Sequence, residues 1–169
     1  MDPITHTLLG AALAQTPLRQ KTAYASAALI IGANLPDIDG IAMLSDSDTA
    51  LLLRRGWTHG IAAILLLPLV LTGALVLWDR LTKHTSRGES PSLHIGALLG
   101  LSYLAVATHP SLDWLNNYGM RWLMPFDGNW FYGDAVFIVD PWMWLLLGGS
   151  VFLSRSRRWW SICGWAALA

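Results

Sequence analysis

The sequence predicts an all-α protein: a polytopic helical bundle embedded in a membrane, with His and Asp residues clustered at one membrane face. Of its 169 residues, 54% are hydrophobic and 13% are charged, whereas soluble domains carry about 25% charged residues. Uncharged apolar runs recur along the chain, and 10 tryptophans suit the aromatic belts found at bilayer surfaces. One soluble core cannot bury this much apolar surface, so lipid is the expected solvent.

Three apolar runs are candidates for membrane spans. The run Ile61–Trp78 is uncharged, and at about 1.5 Å per helical residue it nearly crosses the ~30 Å hydrocarbon layer. Pro68 is expected to kink this helix, which membrane helices tolerate. The second predicted span is Leu93–Thr108, followed by a polar and aromatic loop from His109 to about residue 135. The third is Val136–Leu153.

The two ends of the chain are expected to differ from these spans. Thr5–Ala14 and Ala23–Leu35 are apolar and helical in pattern, but both are short for a full crossing. Trp159–Ala169 starts another hydrophobic segment that stops early, so we expect the chain to be truncated there. Residues 1–169 form one membrane-embedded domain without an internal repeat, and the single Cys163 excludes a disulfide framework. The first residues lack the basic stretch of a signal peptide.

The basic residues divide unequally between the two sides that these helices predict. Eight of the 11 fall on one side and three on the other, and the richer side is expected to be cytoplasmic. The eight are Arg19, Lys21, Arg80, Lys83, Arg87, Arg155, Arg157 and Arg158; the three are Arg54, Arg55 and Arg121. The sequence therefore predicts a multi-pass protein of the inner (plasma) membrane. Its net charge of zero gives no support to nucleic-acid binding.

This topology brings the candidate metal ligands to one face, the extracytoplasmic one. His6, Asp37 and Asp39, His59, and the pair His109 and Asp113 all fall at the outer ends of predicted helices. Asp134 precedes the third predicted span and Asp140 lies near its start, on the same side. Ionisable groups at a membrane edge are costly to desolvate and are therefore functional candidates.

His109 and Asp113, in the segment THPSLDW, are spaced i, i+4. On a helix such residues project from one face, and an imidazole with a carboxylate suits zinc or another divalent ion. The alternative is a His–Asp hydrogen bond at a helix end.

Asp37 and Asp39, in NLPDIDG, lie between Pro36 and Gly40, which predict a turn at a helix end. Two carboxylates this close repel each other unless a cation or proton lies between them. The alternative is a solvated turn, where Asp is common.

His59 follows Arg55 in the segment RRGWTHG. Arg55 can bind an anionic substrate oxygen with two hydrogen bonds, although it can equally anchor a lipid phosphate. His59 can equally be an interfacial residue beside Trp57, and Thr58 is a candidate cap for the helix that follows.

The remaining polar candidates carry weaker signals. His6 is a candidate ligand or a polar residue at a helix start. Asp134 and Asp140 are candidate ligands or helix caps, and Asp140 before Pro141 fits the N-cap and N1 positions. His84, in the basic loop, and His94, on the opposite leaflet, are interpreted as structural.

Taken in order, four segments resemble the YdjM-like (DUF457) family of membrane-bound metal-dependent hydrolases. They are THTLLGAAL, LPDID, RRGWTH before an apolar helix, and THPSLDWLNNYG. The family is distantly similar to zinc-dependent phospholipase C and the S1/P1 nucleases, helical enzymes that hold metal ions with His and Asp. The resemblance implies that His6, Asp37, His59, His109 and Asp113 are ligands, with Asp39 and Asp134 as further candidates. Those soluble enzymes place more histidines late in the chain, whereas no histidine follows His109 here. We therefore expect one or two ions, zinc or else manganese, and not a three-metal site.

The predicted function is a metal-dependent hydrolase, such as a phosphoesterase acting on a lipid or another small molecule near the membrane. The metal lowers the pKa of a bound water, and Asp39 or Asp134 orients that water or accepts its proton. Arg55 stabilises negative charge on a phosphoryl oxygen. The alternative is a non-catalytic membrane protein, either an ion carrier or a regulatory or interaction subunit. The sequence does not predict an oligomeric state.

Overall fold

The computed structural model describes residues 1–44, 55–82, 85 and 91–154. These residues form five α-helices, two 3₁₀ segments and, within the described ranges, no strand beyond two isolated bridges. The helices are α1 (Pro3–Ala14), α2 (Ala25–Asn34), α3 (Ile61–Thr82), α4 (Ile95–Leu115) and α5 (Pro141–Ser154). The 3₁₀ segments are Pro17–Gln20 and Leu35–Leu44, and the second of these continues directly from α2. The prediction of an all-helical chain is confirmed for these residues.

Helix α2 is the centre of the bundle, because it packs against α1, α3 and α4, while α5 packs on α1. Two glycines allow close approaches between helices. A Cβ on Gly10 of α1 would lie 2.7 Å from the Leu29 carbonyl oxygen, and one on Gly32 would lie 2.7 Å from the Ala105 Cβ. Small residues at such positions let helix backbones come together where apolar lipid gives little driving force for association.

Two apolar clusters hold the helices in place. The first joins α1, α2, α4 and α5 through buried residues that include Leu13, Leu29 and Leu147. The second joins α2, α3 and α4 around Ala28 and Leu98. Because the two clusters share α2 and α4, both sides of the bundle are tied to the same helix pair.

Two helices, α3 and α4, are long and apolar enough to cross a membrane. Leucines and Trp78 point outward from α3, and they include Leu66, which is 59% exposed, and Leu81, which is 72% exposed. Inside the pair, Thr72 donates a hydrogen bond to Ser102 at 3.1 Å. The predicted spans starting at residues 61 and 93 are therefore found as helices, and both extend further along the chain than predicted.

The third predicted span, Val136–Leu153, is wrong in its first part. The helix begins at Pro141, because the Asp140 carboxylate accepts hydrogen bonds from the N–H groups of Trp142 (2.9 Å) and Met143 (3.3 Å). Before it, the Val136 N–H bonds to the Leu115 carbonyl oxygen. The described part of α5 has 14 residues, which is shorter than a span. The capping role predicted for Asp140 is confirmed.

The predicted loop from His109 is also wrong at its start, since α4 continues through Pro110 to Leu115. The polar residues of the segment THPSLD favour a loop, but His109, Pro110 and Asp113 are buried against the rest of the bundle. The loop begins at Asn116. Residues used in the charge argument at 54, 83, 87 and 155–158 lie outside the described ranges, as do His84 and Cys163.

Candidate metal centre

The ends of four helices meet at one end of the bundle and bring the polar candidates together. His6 lies in the first turn of α1, and Asp37 and Asp39 lie on the 3₁₀ segment after α2. His59 immediately precedes α3, and His109 and Asp113 lie in the last two turns of α4. Because successive helices alternate in direction, each contributes the end that faces the cluster. The sequence predicted this convergence of distant His and Asp residues.

The first group that can hold a metal ion consists of Asp37, His59 and His109. The Nε2 atoms of His59 and His109 are 3.0 Å apart. Asp37 Oδ1 lies 3.9 Å from the first and 3.6 Å from the second. Ligand atoms around a tetrahedral zinc with bonds of 2.0–2.2 Å lie about 3.4 Å apart. The three atoms therefore have the spacing of a coordination shell.

The second group consists of His6, His109 and Asp113. The rings of His6 and His109 stack with centroids 3.7 Å apart, and His6 Nε2 lies 3.4 Å from Asp113 Oδ1. Asp113 Oδ2 is 3.2 Å from His59 Nε2 and 3.6 Å from His109 Nε2. The amino group of Met1 also contacts Asp113 Oδ1. Asp113 thus touches both groups and can bridge them.

Hydrogen bonds to the outer ring nitrogens orient His59 and His109. His109 Nδ1 lies 2.6 Å from the Ala33 carbonyl oxygen. A carbonyl only accepts, so this nitrogen carries the proton and Nε2 keeps its lone pair. His59 Nδ1 lies 2.9 Å from Thr58 Oγ1, whose own hydroxyl donates to Asp39 Oδ2 at 2.7 Å. In this arrangement the Nε2 lone pairs of both rings point into the same space.

Asp39 does not join either ligand group. Its Oδ2 lies 3.3 Å from His59 Nδ1 and also accepts the Arg55 N–H at 2.9 Å. Carboxylates commonly hold the outer nitrogen of metal-binding histidines in this way. Asp39, a candidate ligand from the sequence, lies instead beside the outer nitrogen of the His59 ring.

Burial and neighbouring charges determine the protonation states of His59, Asp37 and Asp39. Burial lowers the pKa of His59, although Asp39 partly opposes this, so the ring is neutral near pH 7. Burial raises the pKa of the Asp37 carboxyl, but contacts with His109 and His59 outweigh it, and the net pKa is lowered. Burial likewise raises the pKa of Asp39, but the hydrogen bonds from His59, Thr58 and Arg55 lower it overall. Neutral imidazoles and ionised carboxylates are the forms that bind metals.

Unpartnered buried atoms show that the residues present fit a cation. Both ring nitrogens of His6, and Oδ2 of Asp37 and of Asp113, are buried without a hydrogen-bond partner. Burying such groups unpaired is costly. Since the atoms that converge here are mainly acceptors, a divalent cation satisfies several of them at once. Imidazole nitrogens with carboxylate oxygens are the donor set of zinc and manganese sites.

Arg55 supports Asp113 and the loop that follows it. The side chain is buried, its Nε lies 3.5 Å from Asp113 Oδ2, and its Nη1 donates to Asn116 Oδ1 and to the Gly119 carbonyl at 3.1 Å each. The guanidinium also lies over the Tyr118 ring. Asn116 Oδ1 accepts the Tyr118 and Gly119 N–H groups as well. Asn116 was not among the candidates from the sequence, where its one signal was its place three residues after Asp113.

The other candidates lie away from these groups. Asp134 is exposed, with φ of 50° in the 116–140 loop, and belongs to neither ligand group. Asp140 caps α5. His94 precedes α4 at the opposite end of the bundle, where its ring contacts Ser92 at 2.8 Å. Thr58 was considered as a helix cap, but its hydroxyl bonds to Asp39.

Comparison with known proteins gives a family and one curated relative. A family model described as "YdjM inner membrane protein" matches residues 1–169. An uncharacterized protein of Bacillus subtilis (strain 168), YfhP, is 27% identical over 153 residues, which is 86% of this chain and 43% of that protein. The chain thus spans less than half the length of this relative. No solved structure matches the chain.

Proposed function

Because the chain belongs to the YdjM inner membrane protein family, we propose that it is a membrane-bound, metal-dependent hydrolase. The observation that carries the proposal is the convergence of His59 Nε2, His109 Nε2 and Asp37 Oδ1 within 3.9 Å of one another. The hydrogen-bond partners of the two Nδ1 atoms leave the Nε2 lone pairs of His59 and His109 directed into the same space. A buried pocket of acceptors on an apolar protein is expensive to maintain, which favours a function that uses it.

The ligands in this proposal are Asp37, His59 and His109 for one ion, with His6 and Asp113 available for a second. One imidazole nitrogen binds one ion, so His109 could serve only one position at a time, and Asp113, which lies close to all three histidines, could be a ligand at either position. The metal is zinc, with manganese as the alternative. When bound, such an ion supplies Lewis-acid chemistry, polarising a phosphoryl or carbonyl oxygen and making water more acidic.

The residues around the ligands have positioning roles in this proposal. Asp39 holds the His59 ring by its outer nitrogen, with Thr58 as the intermediate hydroxyl. Arg55 was expected to meet a substrate oxygen, but its contacts with Asn116 and Gly119 suit it better to hold Asp113. Asp134, which is exposed, remains a candidate only if its loop approaches the bound substrate.

The reaction class is hydrolysis of a phosphoester close to the membrane. His and Asp ligands suit an ion that binds phosphoryl oxygens, and the resemblance noted from the sequence points to enzymes of this type. In this proposal the protein is multi-pass and the cluster lies on the extracytoplasmic side, and the unequal distribution of Arg and Lys along the sequence supports that orientation. The long apolar helices α3 and α4 support membrane insertion in this arrangement.

Hydrolysis with and without metal tests the proposal. The full chain, purified in detergent and loaded with zinc or manganese, is assayed against a soluble p-nitrophenyl phosphodiester. We expect turnover that a chelator abolishes and added metal restores. Turnover that survives the chelator would exclude metal dependence. Absence of turnover in metal-loaded protein would favour the alternative of a non-catalytic carrier or interaction subunit.

A further inference from the structure

A cleft of about 460 Å³ opens beside the cluster of His and Asp residues, between the start of α1 and the end of α2. Its lining is almost entirely apolar: Pro3, Ile30, Ile31, Leu35 and Ile38, with Asn34 and Asp37 as the polar members. Ile31 and Ile38 are 45% and 54% exposed. The cleft is therefore open and apolar, and the Asp37 carboxylate forms part of its lining.

Asp37 connects this cleft to the metal cluster. Its side chain is 21% exposed, whereas those of His6, His59, His109 and Asp113 are fully buried. Its Oδ1 is also one of the converging ligand atoms. Asp37 thus both lines the cleft and belongs to a ligand group, so a molecule bound at that group would have Ile31, Leu35 and Ile38 beside it.

We propose that the cleft holds an acyl chain of a membrane lipid whose phosphate group lies at the metal centre. The inference rests on the proposed function, and it narrows the substrate to an amphiphile with an anionic head. The apolar walls match a hydrocarbon chain, and a cation at the cluster matches a phosphate. In a bilayer, an open apolar cleft also lets the chain enter sideways without crossing water.

Asn34 does not oppose this assignment. Its side-chain oxygen accepts a hydrogen bond from Thr7 Oγ1 at 3.2 Å, and its Nδ2 donates to the Ile30 carbonyl at 2.9 Å. The amide is thus engaged with its own helix and with α1. A hydrocarbon chain beside it leaves these hydrogen bonds intact.

A second cleft provides a matched control. It has about 390 Å³ and lies between α1 and α4, lined by Leu9, Leu104 and Leu112 among others. None of its lining residues belongs to either group of candidate ligands. If an alkyl chain simply partitions onto apolar surface, both clefts should contribute equally to its binding.

The experiment compares the binding of octyl phosphate and methyl phosphate to the zinc-loaded full chain, by calorimetry in one fixed detergent. We expect octyl phosphate to bind at least about tenfold more tightly, because several methylenes become buried. Ile31→Asn and Ile38→Asn should each reduce this preference at least about threefold, while Leu104→Asn retains it. Elemental analysis verifies equal metal content, and both isoleucines are exposed enough to be replaced without disturbing the core.

Equal affinities for the two phosphates would overturn the proposal. So would a chain preference that Ile38→Asn leaves unchanged, or that Leu104→Asn reduces equally. Failure of the hydrolase is a separate outcome: octyl preference without phosphodiester turnover keeps the lipid site and removes the enzyme. Turnover of the soluble ester without a preference for octyl phosphate keeps the enzyme and removes the lipid site.

Discussion

The Nε2 atoms of His59 and His109 lie 3.0 Å apart in the buried interior of the bundle. They come from the start of α3 and the end of α4, and each ring is fixed by an acceptor on its outer nitrogen. Two lone pairs facing each other at this distance repel unless a proton or a metal lies between them. The carboxylates of Asp37 and Asp113 beside them favour the metal.

Replacing Asp39 with Asn should weaken metal binding without abolishing it. The amide keeps the size of the side chain but loses the charge that holds the outer nitrogen of His59. Loss of such a partner typically lowers metal affinity about 10–100-fold, measured by competition with a chelator. Asp127→Asn is the control, because the described hydrogen bonds of the Asp127 carboxylate go to Asn129 in its own turn. Unchanged affinity in Asp39→Asn would exclude the positioning role.

Removing the Arg55 guanidinium should destabilise the fold around the cluster. Arg55→Met removes a buried guanidinium that donates to Asn116 Oδ1 and to the Gly119 carbonyl and lies 3.5 Å from Asp113 Oδ2. We expect a loss of about 3 kcal/mol in the free energy of unfolding. Denaturant titration in detergent measures this loss. Arg80→Met replaces an exposed arginine and should change stability by less than about 0.5 kcal/mol. Equal effects of the two changes would contradict the role given to Arg55.

The sequence predicted the set of residues at the site better than the geometry that links them. Motif spacing and helix alternation were enough to bring His6, Asp37, His59 and His109 to one end of a bundle, because ligands at helix ends converge when successive helices run in opposite directions. The end of α4 was predicted too early, because the polar residues there favour a loop. The sequence does not show that other helices bury them.

The finer roles depend on contacts that no local pattern encodes. Asp39 lies two residues from Asp37, yet it faces the outer nitrogen of His59 instead of the metal position. Asn116 and the Ala33 carbonyl orient the site through partners 61 and 76 positions away in the chain. The packing of α2 against α4 brings Ala33 to His109, and Arg55, which lies before α3, meets Asn116 at the end of α4.

A methyl group added at Gly32 should loosen the contact between α2 and α4. Ala is ordinarily the better helix former by about 1 kcal/mol, but here its Cβ would lie 2.7 Å from the Ala105 Cβ. We expect Gly32→Ala to destabilise the protein by about 1–3 kcal/mol, seen as a lower Tm. Gly100→Ala on α4, where a Cβ meets nothing within 4 Å, should leave Tm equal or higher. A stabilised Gly32→Ala variant would contradict the close packing.

Acid should destabilise the metal-free protein through His59. Burial lowers the pKa of His59 below its ordinary value of about 6.5, so the unfolded chain binds more protons than the folded one below that pH. The contribution of His59 to stability is therefore present above about pH 6.5 and is lost as the pH falls toward the folded-state pKa. Unfolding curves of chelator-treated protein between pH 7 and 5 measure this. His59→Gln should flatten the dependence; an equally steep curve would assign it to other groups.

The metal content of the purified chain tests the central claim most directly. Elemental analysis should find zinc or manganese in the wild-type protein and in His94→Ala, whose ring lies at the opposite end of the bundle. His109→Ala should lose most of it, because both ligand groups share this imidazole. Wild-type protein that binds no divalent metal even after reconstitution, or His109→Ala that retains the full amount, would contradict the account.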